Sequence, residues 1–139
     1  MTPALIDRFV RSPQTLFLVD GAGAVVTALL VGVVLPRLGE YIGTPRPVLR
    51  TLALGAVALA AYSLTCAAVR PTLWPGYVRG IALANVSYCL VTAAVLIRFA
   101  AALQVLDWLY FLGEIVVVGA LATLELRVAR AITPNGAVL

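Results

Sequence analysis

The stretch that decides the fold is residues 13–35, PQTLFLVDGAGAVVTALLVGVVL, in which Asp20 is the single charged residue. Ser12 and Pro13 are typical of a helix start, and Pro36 marks the helix end. A hydrocarbon core of about 30 Å needs about 20 apolar residues in a helix, so this run is long enough to cross a membrane. Because a backbone in lipid must satisfy its own hydrogen bonds, we predict a transmembrane helix here.

Three further apolar runs follow, over about residues 47–69, 76–98 and 104–128. Arg70-Pro71 ends the second run and Trp74-Pro75-Gly76 opens the third, whereas the turn before the fourth contains neither glycine nor proline. The sequence therefore predicts an all-α fold, a four-helix transmembrane bundle with up-down-up-down topology. It would occupy residues 13–130 and be followed by a C-terminal tail, residues 131–139.

The composition points to the same class of protein. Of the 139 residues 63% are hydrophobic and only 12% are charged, and the mean hydropathy is +1.06. Soluble domains carry about a quarter charged residues, so lipid rather than water must surround most of this chain. The ten basic residues are all arginine and are scattered over several segments. This distribution favours anchoring at the membrane surface and argues against nucleic-acid binding.

The arginines also bear on orientation, since four spans place both termini on one side of the membrane. That side holds six arginines against four on the other, which favours cytoplasmic termini. The six are Arg8, Arg11, Arg70, Arg79, Arg127 and Arg130, and the four are Arg37, Arg46, Arg50 and Arg98.

Residues 1–12 precede the first span and contain an amphipathic pattern. On a helix, the apolar side chains share one face and the charged ones share the other, which predicts a short interfacial amphipathic helix on the membrane surface. A frayed terminus is the alternative. The apolar set is Leu5, Ile6, Phe9 and Val10, and the charged set is Asp7, Arg8 and Arg11.

Polar side chains inside the spans fall on single helix faces. Five of them form the candidate site, an intramembrane polar cluster: Asp20, Ser63, Asn85, Tyr88 and Glu114. Counting residues from the span ends places Asp20, Ser63 and Asn85 in the leaflet nearer the termini and Glu114 near the midplane, within reach of Tyr88. Polar groups in a membrane usually face the bundle interior and pair with one another.

Two interpretations of this cluster stay open. Asp20 would either hydrogen-bond Asn85 or Ser63 and hold the helices together, or serve as a protonatable or ion-pairing site; the same choice applies to Glu114. Glu125 is predicted to lie at the membrane edge and reach headgroups or water, and Asp107 to lie at an interfacial helix start.

The residue types that are missing restrict the chemistry. The chain has no histidine, no lysine and a single methionine, Met1. It therefore lacks the usual haem ligand pair, a histidine metal centre, a Schiff-base lysine and a Ser-His-Asp triad. We predict no cofactor, no metal and no catalytic residue.

Several strings resemble a family of small, uncharacterised four-helix bacterial integral membrane proteins. They are Leu16-Phe17-Leu18-Val19-Asp20-Gly21, Tyr62-Ser63 with Cys66, Ala84-Asn85 with Tyr88-Cys89-Leu90, and Tyr110-Phe111 with Glu114. This resemblance implies a bacterial inner membrane and implies no activity.

Three functions compete at this point. The first is a non-catalytic subunit or scaffold that acts through helix–helix association, with itself or in a larger complex. The second is a small transporter or proton-linked carrier that uses Asp20 and Glu114, and the third is a lipid- or quinone-handling enzyme. If the amide variants Asp20→Asn and Glu114→Gln stay functional, the scaffold function is favoured.

Overall fold

A computed structural model describes residues 3–72 and 74–132, and this part of the chain is helical without any strand. The elements are α1, Pro3–Arg11; α2, Pro13–Arg37; α3, Arg46–Val69; α4, Trp74–Phe99; and α5, Val105–Ile132. A short 3-10 turn, Gly39–Tyr41, lies between α2 and α3. The predicted all-α four-helix bundle with a short N-terminal helix is confirmed. Of the predicted C-terminal tail, residues 133–139 lie outside the described residues.

The four long helices, α2 to α5, are each long and apolar enough to cross a membrane. Their outward faces carry large exposed aliphatic side chains, such as Leu54 at 70% and Ile97 at 79% exposure. A water-soluble protein of this size would not expose such side chains along whole helices, whereas lipid accepts them. The chain is a multi-pass integral membrane protein.

The first span continues two residues beyond its predicted end, through Pro36 to Arg37. Proline has no N–H, and its ring clashes with the carbonyl group four residues earlier in an α-helix. The helix accommodates Pro36 by widening to a π turn over Leu30–Val34, where the N–H of Leu35 bonds to the carbonyl of Leu30. The proline therefore distorts this helix without stopping it.

The helices form two close antiparallel pairs, α2 with α3 and α4 with α5. Small residues allow the first pair to approach, because a methyl group at Gly21 would lie 2.6 Å from Leu64 Cδ2 and one at Gly32 would lie 3.1 Å from Ala53 Cβ. Ala56 and Ala60 of α3 are buried in the same stripe. In lipid, close backbone packing of this kind stands in for the hydrophobic effect.

Apolar side chains close the bundle at both ends. At the end nearer the termini, Phe9, Leu16, Phe17, Val78 and Val128 belong to one buried cluster. A second cluster, which includes Val31, Leu49, Leu52, Leu96 and Phe111, fills the opposite end. Asp20, Ser63, Asn85 and Glu125 lie between these two clusters.

Helix α1 contributes to the apolar cluster at the end of the bundle nearer the termini. Phe9 is only 7% exposed, and the helix contacts α5 and α2. Asp7, Arg8 and Arg11 stay on its exposed face. The amphipathic pattern thus folds as a helix whose apolar face covers the end of the bundle.

Candidate functional site

Each of the four long helices contributes one polar side chain to a single buried point. Asp20 comes from α2, Ser63 from α3, Asn85 from α4 and Glu125 from α5, and none of the four is more than 3% exposed. Asp20 lies seven residues after Pro13, the start of its span, which corresponds to a depth of about 10 Å along the helix. We refer to these four residues as the carboxyl cluster.

Hydrogen bonds connect all members of the carboxyl cluster. The Ser63 hydroxyl donates to one carboxylate oxygen of Asp20. The Asn85 side-chain nitrogen donates to the other, at 2.7 Å, and to Glu125 Oε2 at 3.0 Å. The Asp20 and Glu125 carboxyl groups are also close enough to interact directly. Asp20 thus contacts both of the partners that the sequence offered for it.

A crevice of about 70 Å³ adjoins the carboxyl cluster and is lined by all four long helices. Its polar lining residues are Asp20, Thr27, Asn85 and Tyr88, and the other residues that line it are small or aliphatic. A water molecule needs about 10–15 Å³ of such volume and two or more polar partners, so the crevice is large enough and polar enough for a few waters. On its rim lie Gly23 of α2 and Val117 of α5, which are exposed on the side of the bundle that faces lipid.

Glu114 lies in a second polar group, nearer the middle of the bundle. The Tyr110 hydroxyl donates to Glu114 Oε1 at 3.2 Å, and Tyr88, whose hydroxyl donates to the Leu52 carbonyl at 3.4 Å, lies beside Glu114 as well. The other oxygen, Oε2, is buried and has no hydrogen-bond partner among the described residues; the same is true of the Thr92 hydroxyl.

The five predicted site residues are therefore divided between two places. Asp20, Ser63 and Asn85 meet in the carboxyl cluster, whereas Glu114 is eleven positions from Glu125 on α5, or about 16 Å along the helix axis. Tyr88 stands between the two places, because it lines the crevice and also neighbours Glu114.

The prediction that Glu125 lies at the membrane edge is wrong, since its side chain is fully buried. That prediction took residue 128 as the end of the span, but α5 continues to Ile132. Glu125 lies seven residues before this end, as Asp20 lies seven residues after the start of α2. The equal depths of these two residues are the signal in the sequence that would have predicted the contact between Asp20 and Glu125.

Asp107 does stand at the start of α5, but it is fully buried rather than exposed at an interface. It accepts hydrogen bonds from the backbone N–H of Gly43 at 2.7 Å, from the backbone N–H and hydroxyl of Thr44 and from the N–H of Gln104 at 2.8 Å. This carboxylate fastens the α2–α3 connection to α5, which is a structural role.

The fold and these polar groups define a class: a multi-pass four-helix membrane protein with acidic side chains buried inside the bundle. No set of three or more potential ligands among histidine, cysteine, aspartate and glutamate is grouped for a metal ion within residues 3–72 and 74–132. Comparisons with protein-family models, with curated proteins and with solved structures found no match to this chain. The resemblance to small bacterial four-helix proteins stays a prediction.

Proposed function

We propose that this protein is a small proton-linked membrane carrier, the second of the three functions considered from the sequence. The observation that carries the proposal is the contact of two buried carboxyl groups, Asp20 and Glu125, whose hydrogen-bond donors are the uncharged side chains of Ser63 and Asn85. Two adjacent carboxylates in a low-dielectric site repel each other strongly, as in other carboxyl pairs that share a proton. A positive charge that joins the pair, either a proton or a cationic cargo, relieves this repulsion.

Access to the pair supports a carrier. Apolar clusters cover both ends of the bundle, whereas the crevice beside Asp20 has its rim on the lipid-facing side, at Gly23 and Val117. A cargo that reaches Asp20 through this rim comes from the hydrocarbon. The charge of the pair and this route of access favour a lipophilic organic cation, which would bind the ionised pair and be displaced when a proton binds. Because the crevice holds only a few waters, α2 and α5 must separate at the rim for such a cation to enter.

Glu114 serves as a second proton site in this proposal. It is joined to the crevice through Tyr88, and its unpartnered oxygen can accept a hydrogen bond from a proton donor. Four helices enclose only a narrow path, so we also propose that the carrier works as a homodimer. The location proposed for it is the bacterial inner membrane, with both termini in the cytoplasm, as the arginine distribution favours.

The test is proton uptake by proteoliposomes that contain a pH-sensitive dye, with an outward gradient of tetraphenylphosphonium as the lipophilic cation. We expect cation-driven acidification with the wild-type protein and none above protein-free liposomes with Asp20→Asn or Glu125→Gln. Glu114→Gln is expected to slow the uptake. Glu40→Gln removes an exposed acid and is the matched control, which should behave as wild type.

A scaffold role has one specific observation in its favour. The carboxyl cluster uses one side chain from each long helix, so its hydrogen bonds cross-link the whole bundle. A scaffold needs hydrogen bonds but not protons, and therefore tolerates the amides Asp20→Asn and Glu125→Gln. Wild-type liposomes without cation-driven acidification, together with normal folding of both amide variants, would favour the scaffold over the carrier.

A further inference from the structure

Three arginines line one cleft at the membrane face opposite the termini. Arg37 is the last residue of α2, and Arg46 and Arg50 lie in the first two turns of α3. The cleft between them has a volume of about 520 Å³. It is separate from the carboxyl cluster, which lies in the other half of the bundle.

The three arginines in this cleft form no ion pair with the described part of the protein. Arg46 and Arg50 are four residues apart, so their side chains lie one above the other on the same face of α3. Arg37 faces them from α2. In the part of the chain that the structure describes, none of the three guanidinium groups has a hydrogen-bond or ion-pair partner. Three like charges around one cleft repel one another unless an anion lies between them.

The other walls of the cleft indicate where that anion comes from. Gly32, Val33, Pro36 and Gly39 complete the lining. Val33 is 41% exposed on the lipid-facing surface of the π turn, and Gly32 has no side chain to fill the cleft. One wall is therefore apolar and faces the hydrocarbon, while the opposite wall is cationic and lies at the level of the headgroups.

We propose that this cleft binds the phosphate group of an anionic phospholipid. A guanidinium group presents a planar pair of donors that matches two phosphate oxygens, and arginine is the usual residue where such two-point recognition occurs. The acyl chains of the lipid lie along Gly32 and Val33, and its headgroup lies between Arg37 and the two arginines of α3. A free phosphate ion would make no use of the apolar wall.

Native mass spectrometry of the detergent-solubilised protein tests this proposal. Dioleoylphosphatidylglycerol or dioleoylphosphatidylcholine is added at equal concentration, and the bound lipid is counted. We expect wild type to retain the anionic lipid about a hundredfold better, because three arginines act together on one headgroup. The triple variant Arg37→Gln, Arg46→Gln, Arg50→Gln should lose this preference. The matched triple variant Arg8→Gln, Arg11→Gln, Arg130→Gln, which removes equal charge at the other face, should keep it.

A variant that preserves the charge distinguishes a specific phosphate site from a general positive surface. Replacing Arg37, Arg46 and Arg50 by lysine keeps the charge and removes the planar donor pairs, so the amount of anionic lipid that stays bound should fall severalfold relative to wild type. This variant also serves if the glutamine variant fails to fold. Equal binding of both lipids by wild type, an unchanged amount of bound anionic lipid in the lysine variant, or full displacement of the lipid by millimolar inorganic phosphate would overturn the proposal.

Discussion

The side-chain nitrogen of Asn85 lies 2.7 Å from a carboxylate oxygen of Asp20, and this contact joins one pair of helices to the other. The same nitrogen also donates to Glu125. Asn85 is therefore a neutral group that bonds to two acids in the interior of the bundle. Its replacement should affect stability more than that of any other uncharged polar residue in the spans.

We expect Asn85→Ala to lower the free energy of unfolding by about 1–3 kcal/mol, because two buried acceptors lose their donor. Thermal unfolding in detergent measures the change. Ser87→Ala on the same helix is the control, since Ser87 is exposed and its hydroxyl donates to the carbonyl of Leu83 in its own helix. Equal melting temperatures for the two variants would contradict a central role for Asn85.

Glu125→Gln should raise the stability of the protein and abolish its proton uptake. Its amide can accept from Asn85 through the oxygen and donate to Asp20 through the nitrogen, which replaces a contact between two acids by a hydrogen bond. We expect the free energy of unfolding to rise by about 1 kcal/mol, as for other buried ionisable groups that are replaced by neutral ones. Thermal unfolding and the liposome assay are run on the same preparation. A variant that is less stable than wild type would show that Glu125 is not opposed by Asp20.

Gly21 and Gly23 form a matched pair of test positions on α2. Gly21→Ala places a methyl group 2.6 Å from Leu64 Cδ2, whereas a methyl group at Gly23 meets nothing within 4 Å. We expect Gly21→Ala to cost about 1–3 kcal/mol through overpacking. Gly23→Ala should gain about 0.5–1 kcal/mol from helix propensity. Chemical unfolding of both variants measures the change in the free energy of unfolding. An increase for Gly21→Ala would contradict the close packing of α2 and α3.

Asp107→Ala should loosen the α2–α3 connection. The change removes the acceptor for the N–H groups of Gly43, Thr44 and Gln104, and we expect a loss of about 2–4 kcal/mol. Amide hydrogen exchange should accelerate at Gly43 and Thr44 first. Glu40→Ala removes an exposed acid from the same connection and should leave that exchange unchanged. Protection that survives in Asp107→Ala would show that other contacts hold the connection.

Much of the fold could be predicted from the sequence, because lipid imposes simple rules on the backbone. Apolar runs of fixed length bounded by proline or arginine specify helices, and alternation of their direction placed Asp20, Ser63 and Asn85 at one level. The extension of α2 through Pro36 could not be predicted, since a proline usually ends a helix and this one continues only by widening to a π turn over Leu30–Val34.

The candidate site was harder to predict for two physical reasons. Glu125 was misplaced because no proline ends α5 at the expected position, so the depth of the residue was underestimated. The role of Asp107 depends on a loop, Gly43 and Thr44, that is distant in the sequence and has no periodic pattern. The bond from Tyr110 to Glu114, in contrast, follows from their spacing of four residues on one helix.

The two close helix pairs have a consequence for how the chain enters a bilayer. Ser63 donates to Asp20 within the first pair, and Asn85 donates to Glu125 within the second. Each helical hairpin thus carries one acid of the carboxyl cluster together with a hydrogen-bond donor when it leaves the translocation machinery, and neither of these two acids meets acyl chains without a partner. The bond from Asn85 to Asp20 has to wait until the hairpins meet, as does the bond from Tyr88 to the Leu52 carbonyl, so these contacts form at the last step of assembly.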